Sequence, residues 1–330
     1  MSKLSFDIKT IFDISSDLEF NEKALKIFHW QAKNIPVYKE YISSLELKPE
    51  NINKIEEIPF LPIQFFKSRE VIEKSHAPET IFKSSGTTET GRSQHFVADL
   101  NLYQQSFTKG FELAYGKVCN TCVIALLPNY QEQGDSSLVY MIDSLIKGSN
   151  HSKSGFYLNE KNALLDTLLE LKKSKTKTLL IGVTYALLDF IEKQKIDFSN
   201  LIVMETGGMK GRRKEIVREE LHEMLCAGFG VSQIHSEYGM TELLSQAYSS
   251  GNGVFNAPAW MKILTREIND PLSLCKESKT GGVNVIDLAN INSCCFISTQ
   301  DLGRTLGDNQ FEIIGRFDNS DTRGCNLMIG

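Results

Sequence analysis

The sequence has no excess of positive charge, no long apolar run and no signal-peptide-like segment at its start. Its 41 acidic residues outnumber its 36 Lys and Arg residues, and the formal net charge of −5 argues against nucleic acid as a partner. The longest apolar runs, such as residues 122–127, have the length of a strand and are far too short to span a bilayer. Because the first residues lack an apolar core, we expect a cytoplasmic protein without a membrane span.

Three familiar catalytic motifs are also missing. No G-x-x-x-x-G-K-[ST] phosphate loop occurs, since the Gly-Lys pair at residues 116–117 is followed by valine. No G-x-S-x-G segment occurs, which argues against a serine hydrolase. His222 and Glu223 begin like the H-E-x-x-H motif of zinc proteases, but Cys226 replaces the second histidine.

The seven cysteines are an odd number, which favours free thiols in a reducing compartment over a disulfide framework. Cys119 and Cys122 form a C-x-x-C pair, but no second pair completes a zinc site. Cys122 also opens an apolar run. We therefore expect both to be buried cysteines associated with a strand.

Residues 1–80 are predicted to form a helical N-terminal preface. Apolar residues from Ala24 to Ala32 repeat at helical spacing, which indicates a helix with one buried face. Phe20 and Asn21 suggest a hydrophobic staple and an N-cap at its start.

From residue 81 onward, short apolar runs alternate with amphipathic helical patterns. The strand-like runs are residues 122–127, 179–183 and 201–204, and the helical patterns are residues 163–171, 185–191 and 215–225. This alternation predicts an α/β fold with mixed or parallel sheets flanked by helices. The last third is predicted to be richer in strands. We expect residues 81–330 to form one compact catalytic unit.

The segment 84–92, which reads S-S-G-T-T-E-T-G-R, crowds hydroxyl groups around glycine and ends in arginine. Such a segment is a poor helix former, because Ser and Thr compete for backbone hydrogen bonds and Gly raises the cost of ordering. It is suited to bind a polyanion through hydroxyls, backbone N–H groups and a guanidinium. An ordinary polar surface turn is the alternative.

Three later segments carry polar groups where strands end, which is where ligands bind in α/β sheets. Gly207 and Gly208 follow an apolar run and leave bare backbone for a flat ring, although an ordinary turn is equally compatible. The segment 238–242, Y-G-M-T-E, offers a stacking ring, a hydroxyl and a carboxylate that could hold Mg²⁺. Asp301 follows another strand and is suited to accept hydrogen bonds from ribose hydroxyls.

These segments, in this order, resemble the motifs of the adenylate-forming superfamily, and specifically those of the LuxE-like acyl-protein synthetases. The resemblance covers residues 81–330, and the preface is similar to that of phenylacetate-CoA-ligase-like relatives. It implies bound ATP and Mg²⁺, with Glu242 as the metal ligand and Thr241 at the α-phosphate. The implied nucleotide-binding residues are Ser84, Ser85, Gly86, Thr87, Thr88, Arg92, Gly207, Gly208, Tyr238, Gly239, Thr241, Asp301 and Arg316.

Two departures from the superfamily pattern change the expected chemistry. Glu89 stands where the phosphate loop usually has glycine, and Arg92 stands where it has lysine. Arginine can still bind phosphate, through two parallel hydrogen bonds. The sequence also ends fifteen residues after Gly315, so we expect the usual C-terminal lid to be missing, as in LuxE-like proteins.

The resemblance implies a protein that charges one of its own cysteines near the C-terminus, and Cys325 fits that position. Arg323 beside it would lower the thiol pKa. The alternative is a core cysteine in a closing strand. Cys294 and Cys295 are the next candidates, and their position favours a place in the core.

The predicted function is ATP-dependent activation of a fatty acid as an acyl-adenylate, followed by transfer of the acyl group to a cysteine thiol. The expected partner is an acyl-accepting protein, either an acyl-CoA-reductase-like enzyme or a carrier protein. Two alternatives remain open: a ligase that uses the external thiol of coenzyme A or a carrier, and a non-catalytic nucleotide- or acyl-binding module.

Overall fold

The computed structural model describes residues 6–85, 91–129, 132–207 and 216–317. Its α-helices are α1 (Asp17–Asn34), α2 (Pro36–Ser44), α3 (Phe65–Ser68), α4 (Leu100–Tyr115), α5 (Ser137–Ser149), α6 (Lys161–Ser174), α7 (Thr184–Ile191) and α8 (Arg218–Phe229). Its strands are β1 (Leu61–Pro62), β2 (Thr80–Lys83), β3 (Gln94–Val97), β4 (Cys122–Leu126), β5 (Gly155–Phe156), β6 (Thr178–Val183), β7 (Leu201–Thr206), β8 (His235–Tyr238), β9 (Ala247–Ser249), β10 (Val254–Asn256), β11 (Met261–Arg266), β12 (Gly281–Asp287), β13 (Phe296–Gly307) and β14 (Gln310–Arg316).

One large mixed sheet organises the fold, in the order β11-β12-β13-β14-β10-β9-β8-β7-β6-β4-β5. The strands from β5 to β8 are parallel, and those from β8 to β11 are antiparallel. The predicted mixed α/β fold and the strand-rich last third are both confirmed. Strands β2 and β3 form a separate hairpin.

The parallel half forms where the sequence has unbroken apolar runs. Every residue of β4 and β6 is buried, as is typical of parallel strands covered on both faces. Helices α6 and α7 follow the predicted patterns, and α8 begins at Arg218 rather than at residue 215. None of the helices in the described ranges combines the length and the apolar character that a bilayer crossing demands.

The preface begins its main helix earlier than the sequence analysis predicted. Ser16 is the N-cap of α1, and its hydroxyl accepts a hydrogen bond from the backbone N–H of Glu19. The Glu19 carboxylate in turn accepts one from the N–H of Ser15. Phe20 and Asn21 therefore lie inside the helix, and their prediction as staple and cap is wrong. A capping box satisfies the first free N–H groups one turn before them.

The preface is joined to the sheet by a strand and by a buried amide. Leu61 of β1 pairs in parallel with Ile297 of β13. The fully buried Gln31 donates to the Ile291 carbonyl over 2.8 Å and accepts from the Cys295 N–H over 3.0 Å. The domain boundary at residue 80 stays a prediction.

Candidate active site

The hydroxyl-rich segment lies at the end of the β2–β3 hairpin. Ser84 and Ser93 extend the hairpin by one step: the Ser84 N–H donates to the Ser93 carbonyl, and the Ser93 N–H donates to the Ser84 hydroxyl, each over 3.0 Å. Ser85 is exposed at the start of the loop. Gly86, Thr87 and Thr88 lie outside the described residues, so their phosphate contacts stay a prediction.

Arg92 spans the base of this loop. Its guanidinium donates to the Asp135 carboxylate over 2.9 Å and also donates to the carbonyls of Lys83 and Ser84. The Arg92 and Asp135 side chains are each nearly 40% exposed, so the pair faces solvent. Any anion that binds Arg92 must therefore share it with Asp135. Asp135 was not predicted, because it lies more than forty residues from Arg92 in sequence and has no motif around it.

The segment 238–242 follows β8 as a tight turn. A Cβ atom at Gly239 would lie 2.3 Å from the Glu237 Oε1 atom, so a side chain here would have to displace the Glu237 carboxylate. Glu242 is only 6% exposed and lies beside the Ser93 side chain. Burial raises the pKa of Glu242, and the nearby Ser93 hydroxyl and the Arg316 charge lower it. The predicted metal ligand therefore borders the phosphate-loop hairpin.

The predicted ribose-binding residue Asp301 lies at the centre of a buried hydrogen-bonded group. The Tyr238 hydroxyl donates to Asp301 Oδ2 over 2.9 Å, and Arg316 Nε lies 3.1 Å from Oδ1. Asp301 lies inside β13 and not after a strand, so that part of its prediction is wrong, because the strand continues in its pairing with β14. Its cross-strand partner on β14 is Arg316. Burial raises the pKa of Asp301, and Arg316 lowers it. The Arg316 side chain is 73% exposed, which leaves it accessible to a ligand.

Gly207 lies at the end of β7, beside the end of β8. Its φ of +64° favours glycine, and its carbonyl accepts a hydrogen bond from the Thr184 hydroxyl over 2.8 Å. The preceding Thr206 pairs with Glu237 and donates to its carboxylate over 2.5 Å. Gly208 lies outside the described residues. The carboxyl ends of β7 and β8 therefore meet at one edge of the sheet, as the sequence analysis expected.

A buried polar layer under the turn was missed from the sequence. Asp287, fully buried, accepts hydrogen bonds from the N–H groups of Leu244 and Ser245 and from the Ser245 hydroxyl, at 2.6 to 3.0 Å. Burial raises its pKa to about 6. Asn290 donates to the Glu242 carbonyl over 2.7 Å. These groups hold the backbone that follows Thr241.

A buried side chain that contacts the turn from the hairpin side was also missed. His95 Nδ1 lies 2.9 Å from the Thr241 carbonyl oxygen, and His95 Nε2 lies 2.9 Å from the Ser293 hydroxyl. A single histidine between Gln94 and Phe96 in a strand gives no sequence signal of its own. The contacts appear only when the hairpin packs on the turn.

The residues present fit a magnesium ion held partly by substrate. No group of three or more His, Cys, Asp or Glu side chains in the described ranges is arranged to hold a metal by itself. Glu242 offers one buried carboxylate. Mg²⁺ commonly takes one or two carboxylates and completes its shell with water and phosphate oxygens. Glu242 would hold it, with ATP supplying further oxygen ligands.

The described cysteines include no obvious nucleophile near the site. Cys294 and Cys295 are fully buried, as expected, and burial raises the pKa of the Cys294 thiol to about 12. Cys122 is buried in β4, but Cys119 is exposed, so the prediction that both are buried is wrong for Cys119. It lies in a short 3-10 turn before the strand. Cys325 lies outside the described residues.

Comparison with known proteins identifies relatives of this arrangement. The family model described as "Acyl-protein synthetase, LuxE" matches residues 12–330. No curated protein matches the chain significantly. Among solved structures, ATP-bound MatB from Rhodopseudomonas palustris is 16% identical with a TM-score of 0.52, over 72% of this chain and 47% of that one. A long-chain-fatty-acid-CoA ligase from Archaeoglobus fulgidus is 14% identical with a TM-score of 0.52, over 72% and 51%.

A third structure aligns with more of the chain. A 2-hydroxyisobutyryl-CoA ligase in complex with 2-HIB-AMP is 11% identical with a TM-score of 0.66, over 92% of this chain and 68% of that one. At these identities the likeness shows the fold. The chain spans about half the length of the first two ligases.

Proposed function

The chain belongs to the LuxE acyl-protein synthetase family, and on that premise we propose that it is an ATP-dependent, AMP-forming acid–thiol ligase. It activates a fatty acid as an acyl-adenylate and passes the acyl group to a cysteine thiol. The observation that carries this proposal is the convergence of Tyr238, Asp301, Arg316 and Glu242 beside the hairpin of the phosphate loop.

The charges of this cluster suit a nucleotide. A carboxylate has about four lone-pair sites, and Asp301 uses one for Tyr238 and one for Arg316. The remaining sites can accept hydrogen bonds from two ribose hydroxyls. Arg316, largely exposed, can contact ribose or phosphate, and Glu242 lies beside Ser93 at the base of the hydroxyl-rich loop. We assign adenine contact to Gly207 and Gly208.

The first chemical step makes a poor electrophile reactive. An oxygen of the fatty-acid carboxylate attacks the α-phosphorus of ATP, the bond to pyrophosphate breaks, and acyl-AMP remains. Negative charge gathers on the phosphoryl oxygens, so positioned donors supply most of the catalysis. We assign that role to the hydroxyls of Thr87, Thr88 and Thr241, with Arg92 and Arg316 as cations. Bound Mg²⁺ supplies charge neutralisation at the phosphates.

The second step moves the acyl group to sulfur. A thiolate attacks the acyl carbonyl carbon, the bond to the AMP oxygen breaks, and a thioester and AMP result. We assign the thiol to Cys325, next to Arg323, whose charge would favour the thiolate. The acyl group then passes to a partner protein of the reductase or carrier type.

Intact-protein mass spectrometry after incubation with ATP, Mg²⁺ and a panel of fatty acids tests this proposal. We expect an adduct of one acyl mass that hydroxylamine removes, present in the wild-type protein and absent in Cys325→Ser. Cys119→Ser is the matched control, because Cys119 is an exposed thiol with no assigned role. It is expected to leave the adduct intact.

Other outcomes reassign the chemistry. Pyrophosphate release without an adduct would leave the adenylation step in place and make coenzyme A or a carrier thiol the acceptor. An adduct that persists in Cys325→Ser would move the nucleophile to another cysteine. Neither pyrophosphate release nor an adduct with any acid would overturn the catalytic proposal in favour of a binding module.

A further inference from the structure

His95 connects two segments of the site that are almost 150 residues apart in sequence. It lies in β3, three residues after Arg92, and is 1% exposed. Its Nδ1 atom is 2.9 Å from the carbonyl oxygen of Thr241, and its Nε2 atom is 2.9 Å from the Ser293 hydroxyl. The Phe66 ring packs edge-on against the imidazole, with ring centroids 5.6 Å apart. Both ring nitrogens are therefore used, and the ring is held in place.

The partners of His95 determine its tautomer. A backbone carbonyl can only accept, so Nδ1 carries the hydrogen and donates to Thr241. Nε2 then accepts from the Ser293 hydroxyl. Burial lowers the pKa of His95 to about 4, which keeps this ring neutral near pH 7. The geometry thus gives His95 a fixed direction of hydrogen bonding, from Ser293 through the ring to Thr241.

A second polar group from the hairpin lies near the turn. Ser93 precedes His95 by two residues, so both side chains point to the same face of the extended chain. The Ser93 side chain lies near the Glu242 carboxylate. The hydrogen bond from His95 to the Thr241 carbonyl directly joins the turn to the hairpin.

We propose that His95 is a positioning residue: its hydrogen bond to the Thr241 carbonyl locks the turn 239–242 to the phosphate-loop hairpin. The inference rests on the proposed function for its effect on adenylation, in which Thr241 contacts the α-phosphate. If the turn is released from the hairpin, the Thr241 hydroxyl is no longer held at the phosphoryl oxygens, where negative charge develops in the transition state. Asp301, Tyr238 and Arg316 bond to one another and not to His95. Nucleoside binding is therefore retained when the His95 hydrogen bond is lost.

Two substitutions at one position separate this role from simple packing. In His95→Asn, the side-chain amide nitrogen takes about the place of Nδ1 and can still donate to Thr241. In His95→Gln, the amide reaches toward Ser293 and the bond to Thr241 is lost. Ser293→Ala is the matched control, because it removes the partner of Nε2 only. In His95→Asn, the Ser293 hydroxyl can turn to the Asn290 carbonyl, which is 3.3 Å away.

The first measurement is ATP–pyrophosphate exchange for the wild type and the three variants. We expect His95→Gln to lower kcat about tenfold or more while changing the KM for ATP less than about threefold, because transition-state contacts are lost and nucleoside contacts remain. His95→Asn and Ser293→Ala are expected to stay within about threefold of the wild-type kcat. Equal losses in His95→Asn and His95→Gln would overturn the proposal.

The second measurement needs no activity and separates this inference from the proposed function. Backbone hydrogen exchange is followed in peptides covering residues 239–244 and the β2–β3 hairpin. We expect about tenfold faster exchange in both regions for His95→Gln and unchanged exchange for His95→Asn. A wild-type protein without ATP–pyrophosphate exchange would overturn the adenylation proposal. The hydrogen-exchange pattern would still test whether His95 holds the turn to the hairpin. Unchanged protection in His95→Gln would overturn it.

Discussion

Among single residues, the half-buried Glu237 has a carboxyl group that changes its charge near neutral pH. It sits directly before the Tyr238 turn and accepts a hydrogen bond from Thr206. Burial raises the pKa of Glu237 to about 7, the nearby Glu205 raises it further, and the Thr206 bond lowers it. Between the ordinary pKa of 4.5 and this value, the folded protein holds a proton that the unfolded chain has released. The contribution of Glu237 to the free energy of unfolding therefore falls as the pH rises from 4.5 to about 7.

Glu237→Gln is predicted to remove this pH dependence while keeping the side-chain shape. The free energy of unfolding of the variant, minus that of the wild type, should increase by about 1–3 kcal/mol between pH 5 and pH 8. Chemical denaturation at four pH values in this range measures it. Asp287 titrates with the same sign and His95 with the opposite sign, but both are present in the two proteins and cancel in the difference. A difference that stays constant with pH would contradict the prediction.

Which residues could be predicted depended on whether their partners lie close in sequence. Tyr238, Glu242 and Asp301 were proposed from local motifs, although Asp301 lies inside β13 and not after a strand. Asp135, His95 and Asp287 act through partners dozens to more than a hundred residues away, so no local pattern marks them. The S-x-x-E spacing of Ser16 and Glu19 is a local signal of the capping box, so the start of α1 could have been predicted from sequence.

At the level of elements, the turn after β8 depends on the missing side chain of Gly239. An added Cβ would lie 2.3 Å from Glu237 Oε1 and 3.3 Å from Gln246 Cγ. The Glu237 carboxylate is held by Thr206, so it can move aside only by breaking that hydrogen bond. A side chain at residue 239 would therefore destabilise the folded protein through its contact with the Glu237 carboxylate.

Gly239→Ala is predicted to lower the free energy of unfolding by about 1–3 kcal/mol. In a Glu237→Ala background the same substitution should cost less than about 1 kcal/mol, because the atom it meets is gone. Denaturant unfolding of the two single variants and the double variant measures the coupling. Gly315→Ala, where an added Cβ meets nothing within 4 Å, is the control and should be nearly neutral. Additive costs would refute the contact argument.

The strands were easier to predict than their arrangement. β4, β6 and β7 are apolar runs, and their existence follows from composition. Their order in the sheet, and the register that makes Asp301 a neighbour of Arg316, depend on pairings between distant strands. Sequence periodicity carries no information about such pairings.

At the level of the whole molecule, the preface and the sheet share one hydrophobic core. Buried residues of α1 and α2 belong to the same cluster as those of β4 and β13. Gln31 adds a polar bridge, in which one fully buried amide donates to Ile291 and accepts from Cys295. We expect the preface to unfold together with the rest of the described chain.

Gln31→Met keeps the side-chain volume but removes the amide group. The Cys295 N–H and the Ile291 carbonyl then lose their hydrogen bonds to Gln31. We predict a loss of about 1–3 kcal/mol in the free energy of unfolding, within a single transition. Calorimetry with Gln64→Met as control tests this, since Gln64 is exposed in a surface turn. Two separate transitions, with only the first shifted, would show that residues 1–80 fold on their own and support the predicted boundary.

The pairing of β1 with β13 has a consequence for how the protein is made. Leu61 leaves the ribosome long before Ile297, its partner in the sheet, has been translated. At about 5–20 residues per second, the wait is on the order of ten seconds or more. Throughout that time the apolar side chains near Leu61, among them Phe60 and Ile63, have no sheet to cover them. We expect a chaperone to bind these apolar side chains early in translation and to release them only after β13 has been made.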